Sequence, residues 1–187
     1  MGKRVFDLIL CALFSMILSV VFILVCLAVK LTSKGPIFHL SKRVGKNNRI
    51  FLMPKFRTMK INTPQLATHL LDKPEEYLTP IGDFLRKSSL DELPQFFSVL
   101  MGDMSFVGPR PALYNQEDLI QLRTQRGVHQ LVPGITGWAQ VNGRDDIEIP
   151  DKVRYDEYYL HHQNFIFDLQ IIFQTIFKVL KSEGVKH

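Results

Sequence analysis

The chain has 187 residues, 23 Lys and Arg against 18 Asp and Glu, a net charge of +5, and 46% hydrophobic residues. That length holds one domain, or one domain plus an anchor. The apolar content excludes a disordered tail, and two cysteines are too few for a disulfide scaffold.

The first predicted element is the run from Leu8 to Val29, 22 residues without a charge, of which fifteen are Leu, Ile, Phe or Val. At roughly 0.3–0.6 kcal/mol each, those fifteen favour a bilayer by about 5–9 kcal/mol. A cleaved signal peptide would carry a shorter apolar stretch and a small-residue cleavage site. A retained membrane element is therefore expected. Lys3 and Arg4 precede the run, and Lys30, Lys34, Lys42 and Arg43 follow it. Basic flanks on both sides fit a segment that enters and leaves on the same side. Asp7 is spaced to pair with Lys3 at headgroup level. The remainder of the chain contains no Cys, which suits a cytosolic location.

Gly35-Pro36 ends the run, and Ile37 to Lys55 reads as two strands about a Gly45-Lys46-Asn47-Asn48 turn. Asn62 to Glu76, with Pro64 and Pro74, reads as loop or short helix. Thr79-Pro80 predicts the start of a short helix reaching about Arg86. A second helix is predicted from Ser89 to Asp91 onward, with Pro94 in its first turn, Leu93, Phe96, Phe97 and Leu100 on one face, and Gly102 as its stop. Gly108-Pro109-Arg110-Pro111 is a stiff loop. Asn115 to Arg126 reads as a helix ended by Gly127. Pro133 to Val141 reads as a turn into a short strand, followed by the Asn142-Gly143 turn. Pro150 to His162 and Phe165 to Lys181 read as helices. The last carries an apolar stripe that either packs on the core or lies in a membrane interface.

Asp91 and Glu92 are the first candidates for chemistry. Ser89-x-x-Glu92 also fits a capping box, in which these acids merely start a helix. Adjacent carboxylates on a helix face different directions, so one can attack while the other handles a proton or a metal. A helix N-terminus keeps Asp91 ionised and favours a phosphate beside it. A carboxylate nucleophile is familiar in phosphoryl transfer. Arg110 and Arg144 are set in turns, where a guanidinium fork is suited to phosphate. The basic stretch from Lys42 to Lys60 suits a solvated face, anionic lipid or nucleic acid, and beside a membrane segment lipid is preferred to nucleic acid. There is no Walker A loop, no dinucleotide fingerprint and no serine nucleophile elbow.

Four segments together resemble a known family. They are Lys55-Phe56-Arg57-Thr58-Met59, Arg86 with Ser88 through Gln95, Gly102 through Pro111, and Pro133 through Arg144. In this order they are similar to the bacterial sugar transferases, the monotopic phosphoglycosyl transferases. The resemblance spans nearly the whole chain, and the length suits the family's minimal form. It implies transfer of a sugar-1-phosphate from a UDP-sugar to undecaprenyl phosphate, with release of UMP. By this resemblance Asp91 is the nucleophile that forms a phosphosugar–aspartyl intermediate and Glu92 its acidic partner. Mg²⁺ is the cofactor, held near Asp91, and Lys55, Arg86, Arg110 and Arg144 surround the phosphates. Minimal members imply an N-acetylated amino sugar.

The implied fold is an α-rich α/β catalytic domain over residues 35–187 with interfacial amphipathic helices. Residues 1–34 form a membrane-inserted, re-entrant anchor helix. The family breaks that helix at a Ser-Pro pair, and the matching position here is Ser19-Val20. Expected partners are the UDP-sugar, undecaprenyl phosphate and membrane lipid, with room for a homodimer and none for nucleic acid. The expected location is the bacterial inner membrane, with the catalytic domain on its cytoplasmic side. The competing reading is a membrane-anchored scaffold without enzymatic activity.

Overall fold

The uncharged N-terminal run forms one helix, α1 (Gly2–Thr32). A computed structural model describes residues 2–63, 74–143 and 147–180, without the side chains of Phe14, Ile17 and Leu180. Helix α1 bends by 67° between an arm over Gly2–Leu13 and an arm over Leu18–Thr32. Near the bend, Ser15 Oγ donates to the Cys11 carbonyl at 2.5 Å and Ser19 Oγ to the Met16 carbonyl at 3.2 Å. Hydroxyls that bond back into their own helix favour bending. The bend lies in the turn before Ser19-Val20 and is present with valine at position 20. No single helix among the described residues is long and apolar enough to cross a membrane; the two arms together have the length and composition.

Both ends of α1 are tied to the rest of the chain. Lys3 pairs with Asp168 and donates to the Tyr159 hydroxyl at 3.0 Å, rather than pairing with Asp7 as spacing predicts. Asp7 is buried and accepts from Ser105 Oγ and the Phe106 backbone N–H, each at 3.1 Å. A carboxylate removed from water requires such fixed donors, and Asp7 finds them far along the chain. Arg4 donates to the carbonyls of Val99 and Leu100. At the far end, Arg57 Nε donates to the Pro36 carbonyl at 2.6 Å and Nη2 to Ser33 Oγ at 2.8 Å.

The predicted hairpin is present as β1 (Phe38–Val44) antiparallel to β2 (Ile50–Phe56). Asn47 and Asn48 in its turn have φ of 54° and 59°, a region that Asn tolerates better than most residues. The stretch from Asn62 to Glu76 lies largely outside the described residues. Helix α2 (Gly82–Lys87) starts later than Thr79-Pro80 predicts. Thr79 is instead drawn to β2's continuation, its N–H donating to the Thr58 carbonyl at 2.9 Å.

The second predicted helix is divided. Leu90–Glu92 is a 3₁₀ turn, and α3 (Gln95–Met101) begins after Pro94. The capping box does not form: Ser89 is left-handed at φ 56° and makes no side-chain cap. The predicted apolar face also divides. Gln95, Ser98 and Val99 are the buried positions of α3, while Phe97 and Leu100 are exposed. Phe97 meets Phe22 of α1 edge to face, with ring centroids 5.8 Å apart. Gly102 ends the helix at φ 91°, as read.

A short strand, β3 (Ser105–Val107), pairs in parallel with β4 (Gly134–Thr136). Between them lies α4 (Glu117–Gln125), ended near Gly127. Trp138 to Val141 is helical rather than strand, forming α5 (Trp138–Asn142). Helices α6 (Ile149–His162) and α7 (Phe165–Leu180) close the order. Among the described residues the architecture is helix-rich α/β with two small sheets.

Two apolar clusters involve α1. Cys11 joins Met53, Val99, Phe106, Tyr159 and Ile171, and Val25 and Val29 join Phe56 and Leu85. Each fully buried apolar side chain of this size contributes about 1.5–3 kcal/mol. Outside them an apolar surface remains exposed: Met16, Val20 and Ile23 on α1, and Ile166, Phe173 and Phe177 on α7.

Candidate active site

Strand β2 carries Lys55 as its penultimate residue, beside the 3₁₀ turn that carries Asp91 and Glu92. The Lys55 ammonium lies 2.7 Å from Glu92 Oε1 and 3.7 Å from Asp91 Oδ2. Arg110 reaches the same Glu92 oxygen from the other side, with Nη2 at 3.0 Å. Glu92 is thus held by two cations, whereas Asp91 makes no hydrogen bond among the described residues. The two adjacent acids have different environments: both lie by the Lys55 ammonium, but Glu92 alone is hydrogen-bonded to it and to Arg110.

Their protonation follows from those surroundings. Burial alone would raise the Glu92 carboxyl, but Lys55 and Arg110 overcome it and hold Glu92 well below the usual carboxylate range. Burial pushes Asp91 up to about 6; Lys55 opposes this and the neighbouring Glu92 charge adds to it. Asp91 is therefore still mostly ionised at neutral pH, but the cause is the balance of burial against cations rather than a helix N-terminus. Arg86 faces Asp91 electrostatically, and burial lowers its guanidinium pKa. Its Nε donates to Thr58 Oγ1 at 3.1 Å, which sets the direction of the side chain.

The loop that presents Arg110 depends on close backbone contact. A Cβ on Gly134 would meet the Gly108 nitrogen at 2.1 Å, and one on Gly137 would meet the Gly108 oxygen at 2.1 Å. Glycine at both positions lets Gly108-Pro109-Arg110 lie directly on the β4 segment. The Gly108 N–H donates to the Thr136 carbonyl, and the Gly134 N–H to the Pro109 carbonyl, each at 2.9 Å.

The structure thus brings Lys55, Asp91, Glu92 and Arg110 into one cluster, with Arg86 alongside. Arg144 lies outside the described residues. Sequence reasoning missed Thr58, although it stands within the Lys55–Met59 segment. It also missed the buried pair Arg123 and Asp156 behind Arg110, which no local pattern marks.

A single carboxylate not engaged in hydrogen bonding, together with phosphate groups, fits Mg²⁺, which commonly takes one or two carboxylates plus substrate phosphates. Asp91 would supply that carboxylate. Among the described residues there is no cluster of three or more His, Cys, Asp or Glu to hold a metal unaided. A cation-lined cluster with one buried, ionised acid is equipped to bind a diphosphate and attack it.

Comparison with known proteins gives one result throughout. The family model described as bacterial sugar transferase matches residues 1–182. The sugar transferase EpsL of Bacillus subtilis (strain 168) is 40% identical over 186 residues, covering 98% of this chain and 90% of that protein. The UDP-glucose:undecaprenyl-phosphate glucose-1-phosphate transferase of Escherichia coli (strain K12) is 40% identical over 183 residues, covering 94% of this chain but 39% of that protein. The UDP-N-acetylgalactosamine-undecaprenyl-phosphate N-acetylgalactosaminephosphotransferase of Aeromonas hydrophila is 36% identical over 191 residues, 98% of this chain and 45% of that protein.

Proposed function

Since this chain belongs to the bacterial sugar transferase family and is a transferase, we propose that it moves a sugar-1-phosphate from a UDP-sugar to undecaprenyl phosphate. The observation that carries the mechanism is the contrast between the two acids: Glu92 is hydrogen-bonded by Lys55 and Arg110, whereas Asp91 is buried, 3.7 Å from the Lys55 ammonium, and accepts no hydrogen bond among the described residues. In the first step an Asp91 carboxylate oxygen forms a bond to the phosphorus that bears the sugar. The bond from that phosphorus to the bridging oxygen breaks, and UMP leaves with the electron pair. In the second step a phosphate oxygen of undecaprenyl phosphate attacks the same phosphorus and expels the Asp91 carboxylate.

Lys55, Arg86 and Arg110 hold the phosphate oxygens, and Arg144 is assigned with them from its motif. Guanidinium and ammonium groups aimed at developing phosphate charge act without reorganisation at the moment of reaction. Glu92 keeps Lys55 and Arg110 in place. Asp91 would hold Mg²⁺ together with the donor diphosphate, and the ion would supply neutralisation of the diphosphate charge.

The acceptor is a lipid, so the site must lie at a membrane surface. We assign α1 as a re-entrant anchor because both its ends bond to the same domain: Lys3, Arg4 and Asp7 at the start, Ser33 and the Pro36 carbonyl at the end. The arm over Leu18–Thr32 is ~22 Å long at 1.5 Å per residue, short of the ~30 Å hydrocarbon core. The exposed apolar side chains of α1, α3 and α7 face the same bilayer, which is assigned as the bacterial inner membrane with the domain on the cytoplasmic side. The sugar is assigned as an N-acetylated amino sugar, in keeping with the Aeromonas relative; glucose, in the name of the Escherichia relative, is the alternative.

The test is intact-mass spectrometry with Mg²⁺ and a panel of UDP-sugars, without acceptor, alongside UMP release with undecaprenyl phosphate. The expected result is a mass gain of one sugar phosphate, absent in Asp91→Asn and absent with chelator. An unchanged adduct in Asp91→Asn, or no UMP release from any UDP-sugar, would overturn the proposal.

A further inference from the structure

Behind the Arg110 loop lies a buried ion pair that touches neither acid. Arg123 of α4 is 7% exposed and Asp156 of α6 is 1% exposed. Arg123 Nε and Nη2 both donate to Asp156 Oδ2, at 3.0 and 2.6 Å. The remaining arm of the fork points elsewhere: Nη1 donates to the backbone carbonyl of Arg110 at 2.8 Å. The next carbonyl, that of Pro111, accepts from Arg43 Nη1 at 3.1 Å. Arg110 is flanked by Pro109 and Pro111, so both neighbouring residues lack an N–H with which the loop could be tied. The loop's carbonyl oxygens are still available, and the buried guanidinium of Arg123 and the half-buried guanidinium of Arg43 take two in succession.

A buried ion pair is weak evidence for stability, since well-packed apolar replacements are often equally stable. Here one partner has a third contact on the residue whose side chain holds Glu92. We propose that Arg123 and Asp156 are positioning residues for the phosphate-binding Arg110. Asp156 orients the Arg123 fork, and Arg123 fixes the Arg110 peptide so that its guanidinium is aimed at Glu92 and the donor phosphates. This rests on the transfer reaction proposed above.

The test is a mutant cycle on the full-length protein in nanodiscs, reading UMP release and thermal unfolding together. Wild-type activity settles the transfer reading first, independently of the pair. Arg123→Lys keeps the charge opposite Asp156 but loses the planar fork. It is expected to lower kcat by 10-fold or more, with KM for undecaprenyl phosphate within about twofold. In an Arg110→Ala background the same change is expected to lower kcat no further, because a residue acting through Arg110 has nothing left to position. The double variant Arg123→Met, Asp156→Leu removes the pair without leaving a lone buried charge. It is expected to unfold near the wild-type temperature and to show the same loss of kcat. Full kcat in a folded Arg123→Lys protein would overturn the proposal, as would an equal loss with and without Arg110. If the double variant does not fold, the Arg123→Lys cycle decides alone.

Discussion

Replacing Lys55 with Met tests the electrostatic account of the two acids directly. Lys55 is 2.7 Å from Glu92 and 3.7 Å from Asp91. It is the largest influence holding the Asp91 carboxyl down against burial, and with it in place Asp91 stands at about 6. A cation within ~4–6 Å commonly lowers a carboxyl by about 1–3 pH units, so its removal should carry Asp91 to about 7–9. At pH 7 the ionised fraction would fall from about nine-tenths to between about one-half and about one per cent. Glu92 stays ionised, because Arg110 remains 3.0 Å away. In the proposed mechanism the attacking form is the carboxylate, so the acidic limb of adduct formation must move upward in pH. Lost phosphate contact lowers the height of the profile at every pH; only the change at Asp91 moves the position of its limb. The assay is single-turnover adduct formation from pH 5 to 10, with a ¹³C titration of the Asp91 carboxyl in chelator-treated protein. A Lys55→Met profile lowered in height but unmoved in pH, with an unmoved Asp91 titration, would refute the reasoning.

Three further outcomes are expected. Glu92→Gln leaves Lys55 and Arg110 without their shared carboxylate and should reduce kcat/KM by about 10²–10³, the scale of losing one preorganised electrostatic contact; near-normal turnover would show that Glu92 has no role beyond the turn. Asp7→Ala deletes two buried hydrogen bonds to a charged acceptor, worth about 1.5–3 kcal/mol each, and should destabilise the protein by about 3 kcal/mol or more in chemical unfolding; unchanged stability would mean the Asp7 contacts contribute nothing. A single cysteine at Gly2, with Cys11→Ser and Cys26→Ser, should resist an impermeant thiol reagent on intact cells and react after permeabilisation, and efficient labelling from outside would show that α1 spans the membrane.

What could be read from the sequence is local, and what escaped it is long-range. The hairpin follows from a Gly-Lys-Asn-Asn turn between two strand-like runs, and Gly102 and Gly127 mark helix ends because their backbones are left-handed. The acid pair and its cations stand in motifs and were legible as residues, but their geometry was not. Ser89-x-x-Glu92 matches a capping box by spacing, yet Ser89 is left-handed and the helix restarts after Pro94. Trp138-Ala139-Gln140-Val141 looks strand-like in composition, but it forms a short helix packed among Tyr159, Phe167 and Ile172. Tertiary context decides such short segments over propensity. The three-residue pair β3 and β4 is too short for any period to show. Phe97 and Leu100 misled because apolar side chains at helical spacing look alike in sequence whether they are buried or, as here, exposed. Asp7 finds Phe106 and Arg123 finds Asp156 across long sequence separations, and no local pattern encodes either meeting.

The ties that hold α1 are placed next to the residues that carry the site. Asp7 bonds the backbone of Phe106, and Arg110 follows four residues later on a loop fixed at Gly108. Arg57 holds the Ser33 and Pro36 end of α1, and Lys55 stands two residues before it. Each arm of α1 therefore ends on a segment that presents a cation to Glu92. A spanning helix joined by one flexible connection would leave the height of the site above the bilayer free. Two ties, one of buried and one of part-buried hydrogen bonds, would fix that height if α1 inserts as proposed. Under the re-entrant assignment this matters for the chemistry, because the polyprenyl chain keeps the acceptor phosphate at the headgroup level. The nucleophile must be held at the same level for the second displacement to occur. Positioning of this kind is where an effectively intramolecular reaction gains its advantage, and a misplacement of 1 Å can cost about 10²-fold. The depth of Asp91 is then a property of the bent helix as much as of the catalytic turn.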